Sequence, residues 1–407
     1  MSKRKIPIPE QIFSEGLQTQ TEMLAVRRSA KKLFIGIPAE ESFQENRVSL
    51  KPASVVMLTS NGHRVIIEKG AGEKSGYNDH EYSESGADIA YSKEQVFESQ
   101  VILKVAPATS DEIDLMSPEQ IIISPIHLPT MKGEYIEQLR RKRVIALAWE
   151  YIQNAAGMFP FVQTISEIAG TASILTAAEL LANTNDGRGI LLGGISGVPP
   201  AKVVILGAGI VGESATRTAL GLGAEVRIFD NDIYKLMRLQ SNLNQRLHTS
   251  VINPKYLEEE LIKAHVAIGA IHSETGRSPC VVSEDMVSKM RRKSVIVDVS
   301  IDQGGCFATS RVTTHDKPTF VNYDVIHYCV PNIASKVART ASSAISNIVT
   351  PMLLQTEQIG GLAHLLDGNT GFRNGVYIYK GTLTNQHLGE RFGIKSTNID
   401  LLLTSRL

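Results

Sequence analysis

Lys202-Val203-Val204-Ile205-Leu206-Gly207-Ala208-Gly209-Ile210-Val211-Gly212 is the stretch on which the fold turns. Five residues of strand composition run into a Gly-x-Gly-x-x-Gly turn, and the residues from Glu213 to Leu222 then have helical spacing. A strand feeding a helix through such a turn opens a dinucleotide-binding βαβ unit. Gly207 permits the tight turn, Gly209 lets a pyrophosphate approach backbone N–H groups at the helix N-terminus, and Gly212 allows close helix-to-strand packing. Asp230 closes the next strand, where a carboxylate accepts hydrogen bonds from ribose hydroxyls and repels a 2′-phosphate, so NAD is expected rather than NADP.

The alternation continues on both sides. Downstream, Val226 to Phe229, His265 to Ile271, Ser294 to Val299 and Thr319 to Val321 read as strands of the same sheet. Upstream, Leu33 to Ile37, His63 to Glu68, Val101 to Val105, Gln120 to Ser124 and Val144 to Trp149 form a first strand set, separated by segments of helical composition. A mostly helical connection, including Ile165 to Ala182, leads to the glycine- and proline-rich loop Gly193 to Pro200. Beyond Asn332, Ala334 to Gln358 has helical spacing and is expected to pack back on the first domain, with turns and short helices after it. The expected fold is α/β: two doubly wound parallel-sheet domains, the second a Rossmann NAD-binding domain inserted between the two parts of the first. The corresponding boundaries are a polar N-terminal extension over 1–32, a substrate domain over 33–160 and 337–407, and the NAD-binding domain over 161–336.

Composition narrows the partners. Of 407 residues, 42 are Lys or Arg and 42 are Asp or Glu, so no net field attracts nucleic acid or an anionic membrane. No run reaches the roughly 18 apolar residues that a membrane-spanning helix needs, and the first 32 residues lack the apolar centre of a secretory signal. Three cysteines without CxxC spacing argue against a disulfide framework and a cysteine-ligated zinc site, so no metal is expected. These features point to a cytoplasmic protein with small-molecule ligands.

The segment Val297-Asp298-Val299-Ser300-Ile301-Asp302-Gln303-Gly304-Gly305-Cys306-Phe307 closely resembles the corresponding stretch of the alanine dehydrogenase family. Glu45-Asn46-Arg47-Val48, Leu103-Lys104-Val105, Ile126-His127-Leu128, Ser166-Glu167-Ile168-Ala169-Gly170 and Gly193-Gly194-Ile195-Ser196-Gly197-Val198 strengthen the resemblance, in the family's order. The family includes the nucleotide-binding subunit of proton-translocating transhydrogenase. His127 and the Asp302-Gln303-Gly304-Gly305 wording favour the dehydrogenase branch. Thr171, Ala106-Pro107, Pro331 and Ile333 depart from the family's usual residues, at positions that bear on cofactor grip or substrate size.

The resemblance implies NAD-dependent oxidative deamination of L-alanine to pyruvate and ammonia, and the reverse reductive amination, by a homo-oligomer that is commonly a hexamer. Arg47 is then expected to pair with the substrate carboxylate, for which a guanidinium offers two parallel donors. Lys104, at a strand end, would contact the carboxylate or carbonyl oxygen. His127 would transfer protons as general acid or base, and Asp302 would order the catalytic water, with Asp298 as the competing acid. Ser166, Val211, Lys235 and Asn332 resemble positions that touch the cofactor, beside Gly207, Gly209, Gly212 and Asp230.

Two other readings share the fold. An imine-forming amino-acid reductase of the opine or saccharopine type would require a second amino acid in place of ammonia. A transhydrogenase-like NAD-binding subunit would bind NADH and turn over no amino acid; the co-occurrence of Arg47, Lys104, His127 and Asp302 argues against it, because a dinucleotide binder needs no carboxylate clamp beside proton-transfer groups.

Overall fold

The computed structural model describes residues 32–41, 44–273, 276–359, 366 and 368–404, so all of the expected N-terminal extension except Lys32 lies outside the described residues. Two twisted sheets carry the chain. The first begins with β1 (Phe34–Ile37), β2 (Arg64–Glu68), β3 (Asp88–Ala90), β4 (Val101–Leu103), β5 (Ile121–Ser124) and β6 (Ile145–Ala148). The second holds β7 (Lys202–Leu206), β8 (Glu225–Phe229), β9 (His248–Ser250), β10 (Val266–Gly269), β11 (Val295–Asp298), β12 (Thr319–Asn322) and β13 (Val325–Tyr328). The chain then returns to the first sheet as β14 (Val376–Tyr379) and β15 (Thr382–Leu383).

The strand orders are β15-β14-β6-β5-β4-β1-β2-β3 and β12-β13-β11-β10-β7-β8-β9. Both contain the doubly wound arrangement in which the chain runs outward, returns to the centre and runs outward the other way. Ligands bind where the direction reverses, at the carboxyl ends of the strands. These switch points lie between β1 and β4 and between β7 and β10.

The sheets are mixed rather than purely parallel: β12 pairs antiparallel with β13, and β14 pairs antiparallel with β6 and with β15. The short helices expected in the final segment are present at Thr370–Arg373, Gln386–Phe392 and Ile399–Thr404, and the strands Val376–Tyr379 and Thr382–Leu383 come in addition to them. Tyr323 and Asp324, both with positive φ, join β12 to β13 as a tight hairpin.

Burial on both faces explains why the central strands are apolar throughout. In β5, Ile121 and Ile123 face a cluster that includes Ile345, Val349 and Leu353 of the long helix Ala338–Ile359, while Ile122 faces Ile136 and Leu139 of the helix Gly133–Arg141. The helix Ala338–Ile359 thus packs on the first sheet, where it also meets the helix Pro52–Ser60. The helix Pro160–Leu180 links the two sheets and packs on the helix Ile210–Gly221; a Cβ at Gly170 would fall 2.3 Å from the carbonyl oxygen of Val211.

Candidate active site

The Glu45 to Lys51 segment follows β1 without sheet partners, so its amides need other acceptors. Serines supply them: Ser335 Oγ accepts from the Asn46 N–H at 2.8 Å, Ser342 Oγ from Val48 at 2.9 Å and Ser346 Oγ from Lys51 at 3.0 Å. Ser342 and Ser346 stand one turn apart on the long helix, which therefore holds the Arg47 segment extended.

Arg47 is buried and gripped by Glu45. Its Nε donates to Glu45 Oε1 at 2.7 Å and its Nη2 to Oε2 at 2.6 Å, and the Arg47 N–H also reaches Oε1 at 2.9 Å. Burial works against the Glu45 charge, but Arg47 and the Asn332 amide outweigh it and hold the carboxyl below its ordinary value. Glu45, quoted above within the Arg47 string, was given no role of its own by the sequence.

The structure brings His127 and Asp302 within electrostatic reach of that guanidinium. Burial first, and Arg47 second, push His127 down to about 4, so the imidazole is neutral at neutral pH. Asp302 sits in a helical turn after β11 and opens on solvent, yet the surrounding protein raises its carboxyl to about 6 against the pull of the Asn332 N–H and Arg47. Asn332, in the left-handed region at φ 59°, donates its backbone N–H to Asp302 Oδ1 at 3.2 Å and its side-chain amide to Glu45 Oε2 at 2.7 Å. Arg47, Glu45, Asn332 and Asp302 thus form one connected chain across the two sheets.

Asp298 does other work. Its Oδ2 accepts from the Cys306 N–H at 2.9 Å and from Ser310 Oγ at 2.6 Å, closing the loop over Gly304 and Gly305. It is the acid that holds the turn.

Lys104 is fully buried at the first switch point, with its Nζ 2.8 Å from Glu40 Oε2 and 3.0 Å from Glu112 Oε1. Burial opposes the ammonium, but the two carboxylates outweigh it and raise Lys104 above its ordinary value. Glu40 also accepts the Val105 N–H at 2.6 Å. Neither glutamate was marked as a site residue by the sequence, because each meets Lys104 only through the fold.

The second sheet's switch point fits a dinucleotide. Gly207 has φ +107° and lies so close to β10 that a Cβ would meet the Ala270 carbonyl oxygen at 2.3 Å. A Cβ at Gly212 would fall 1.9 Å from the Gly207 carbonyl oxygen, whereas one at Gly209 would have no protein atom within 4 Å. The first and third glycines are therefore demanded by the chain itself, while the second faces open space ahead of a helix N-terminus, where a pyrophosphate fits. Asp230 Oδ2 accepts the Ala208 N–H at 2.7 Å and Oδ1 the Asp232 N–H at 2.8 Å, tying the glycine turn to the end of β8. Ser166 lies one helical turn before Gly170, on the face that meets Val211. Lys235 is exposed in the first turn of the helix Ile233–Leu243.

A glycine-lined nucleotide site facing buried charged and titratable side chains across two Rossmann-like sheets defines an NAD-dependent oxidoreductase. Residues 36–169 match the family described as "Alanine dehydrogenase/PNT, N-terminal domain", and residues 173–386 match "Alanine dehydrogenase/PNT, C-terminal domain". The chain belongs to this family. It is 35% identical over 367 residues to "Alanine dehydrogenase 2" of Staphylococcus aureus (strain USA300), covering 90% of this chain and 98% of that one. Among solved structures, an "L-alanine dehydrogenase" superposes with a TM-score of 0.82 at 36% identity, covering 88% of this chain and 99% of that one. A transhydrogenase from Sinorhizobium meliloti shares the fold, with a TM-score of 0.72 at 23% identity over 87% of this chain and 99% of that one. The protein is thus an enzyme of the alanine dehydrogenase type that uses NAD. Among the described residues no helix is long and apolar enough to cross a membrane.

Proposed function

We propose that the enzyme oxidatively deaminates L-alanine to pyruvate and ammonia and catalyses the reverse reductive amination. The observation that carries this reading is the convergence of three separate loops on Arg47, with His127 and Asp302 each within electrostatic reach of its guanidinium. A three-carbon amino acid needs a cation for its carboxylate and proton-transfer groups at its amine-bearing carbon.

Arg47 binds the carboxylate through the N–H groups that Glu45 leaves free. Lys104 commits two of its three hydrogens to Glu40 and Glu112 and has one for a carboxylate or carbonyl oxygen of the substrate. His127, neutral at working pH, accepts a proton at a ring nitrogen from the hydroxyl of the carbinolamine and returns it in reverse. Asp302, ionised above about pH 6, orders the attacking water. NAD, held by Ser166, Gly207, Gly209, Val211, Gly212, Asp230, Lys235 and Asn332, supplies the acceptor for the hydride from Cα. The substrate side is the first sheet with the returning C-terminal segment, over residues 33–160 and 337–407, and the cofactor side is 161–336.

Exposed Leu191, Ile195 and Val198 around the Ile195–Val198 hairpin support assembly into a homo-oligomer, which by family likeness is a hexamer. Three free cysteines suit a reducing cytoplasm.

The test follows NADH absorbance with L-alanine plus NAD, and then with pyruvate, ammonia and NADH, with His127→Ala beside the natural protein. Turnover in both directions, lost in His127→Ala while NADH still binds, supports the reading. Tight NADH binding without turnover of any amino acid overturns it in favour of a dinucleotide-binding subunit.

A further inference from the structure

We propose that Glu150 is a positioning residue for His127, acting as the acceptor that fixes the backbone from which the imidazole projects. The inference rests on the proton-transfer role given to His127 above.

Strand β5 pairs in parallel with β6 as far as Ser124 opposite Ala148. Beyond Ser124 the ladder stops, and the N–H groups of Ile126 and His127 have no strand to bond. Glu150, two residues past the end of β6, takes both. Its Oε1 accepts from Ile126 at 2.9 Å and from His127 at 3.1 Å, while Oε2 lies 3.2 Å from the Ile126 nitrogen. On the other side, the His127 carbonyl oxygen accepts the N–H groups of Thr130 at 3.0 Å and Met131 at 3.2 Å. Both peptide groups flanking the imidazole are therefore anchored by side chain and turn rather than by a sheet.

The anchoring matters because His127 has φ 47°, the left-handed region that a residue with a Cβ adopts only where its surroundings enforce it. Relaxation to an ordinary conformation would redirect the side chain away from Arg47. Glu150 is also an unusual choice for a purely structural acceptor. Burial raises its carboxyl above the ordinary value, its own backbone N–H and the amides of Ile126 and His127 only partly offset this, and among the described residues no Lys or Arg pairs with it. The phenols of Tyr377 and Tyr151 are close enough to feel its charge. Apart from its own backbone N–H, the carboxylate's partners among the described residues are thus the two amides that set the His127 conformation.

Because one oxygen serves both amides, a carboxamide oxygen serves them equally. Glu150→Gln is therefore expected to keep kcat within about 3-fold of the natural enzyme, whereas Glu150→Ala, which frees the turn, is expected to lower kcat by about 100-fold, the scale of loss for a reacting group displaced by an ångström. The NADH dissociation constant, read by fluorescence, stays unchanged in both. In a His127→Ala background, Glu150→Ala produces no further loss. If Glu150→Ala does not fold, Glu150→Asp, whose carboxylate falls short of the amides, takes its place with the same expectation. Full activity in the alanine or aspartate variant, an additive loss in the double variant, or inactivity of Glu150→Gln with normal NADH binding overturns the proposal. Full activity of His127→Ala alone instead overturns the catalytic reading on which it rests.

Discussion

Glu45 and Asn332, 287 positions apart, are joined by a 2.7 Å hydrogen bond from the Asn332 amide to Glu45 Oε2, and the same carboxylate grips Arg47. One buried side chain thus couples the cation on the first sheet to the loop that follows β13 on the second.

Glu45→Gln keeps the shape but removes the charge that orients Arg47. We expect the KM for the amino acid to rise by about 10-fold or more, the scale of a lost charge-assisted hydrogen bond, while the NADH dissociation constant changes little. An unchanged KM with intact folding would show that Arg47 is positioned without Glu45.

Asp302 makes activity and stability respond to pH in opposite senses. Its folded carboxyl titrates near 6 against an ordinary value of 3.8, so the folded state holds the proton more tightly. The group therefore favours folding below pH 3.8, loses that contribution as pH rises, and disfavours folding fully above about pH 6. Ionised Asp302 is also the form that orders water. The kcat/KM profile is expected to fall on the acid side with an apparent pKa near 6, and Asp302→Asn is expected to abolish that limb and most activity while raising Tm at pH 8. A Tm unchanged between pH 4 and 8 relative to the variant would contradict the sign.

How far the sequence carried this picture depends on what each residue type advertises. The inner strands were legible because burial on both faces demands runs such as Lys202 to Leu206 and Ile121 to Ser124. His248–Ser250 has no apolar signal at all, and Val376–Tyr379, although apolar, joins β6 from more than two hundred positions away, a pairing that no local pattern encodes. In the site, Arg47, His127 and Asp302 stood in recognisable strings, but the bonds that tie Asp298 to Cys306 and Ser310 were not legible in them. Glu40 and Glu150 are carboxylates whose partners are chosen by topology, and Glu112 is marked in the sequence only as the last residue of the Thr109 capping box, which says nothing of Lys104.

Lys104 offers a separation of structural from chemical roles. Lys104→Met leaves Glu40 buried without its cation and Glu112 with Lys93 alone, a change worth about 3–5 kcal/mol of stability. Chemical denaturation should read that loss. Adding Glu40→Gln and Glu112→Gln removes the stranded charges and is expected to restore stability. If Lys104 also contacts the substrate, the restored protein remains deficient in kcat/KM; recovery of activity along with stability would assign Lys104 to the scaffold alone.

The glycine turn predicts two alanine variants with opposite failures. At Gly212 a methyl group would meet the Gly207 carbonyl oxygen at 1.9 Å, a backbone collision that no side-chain motion relieves, so Gly212→Ala is expected to lower Tm sharply or prevent folding. At Gly209 the methyl would meet no protein atom within 4 Å, so Gly209→Ala should fold with an unchanged Tm. The space it fills is where the pyrophosphate must approach the N-terminus of the helix Ile210–Gly221, and its effect should therefore appear only in the NADH dissociation constant, weakened by about 10-fold or more. NADH titration and thermal melting of the two proteins side by side check both halves. Normal NADH affinity in Gly209→Ala would place the pyrophosphate elsewhere, because the methyl group leaves it no room in this turn.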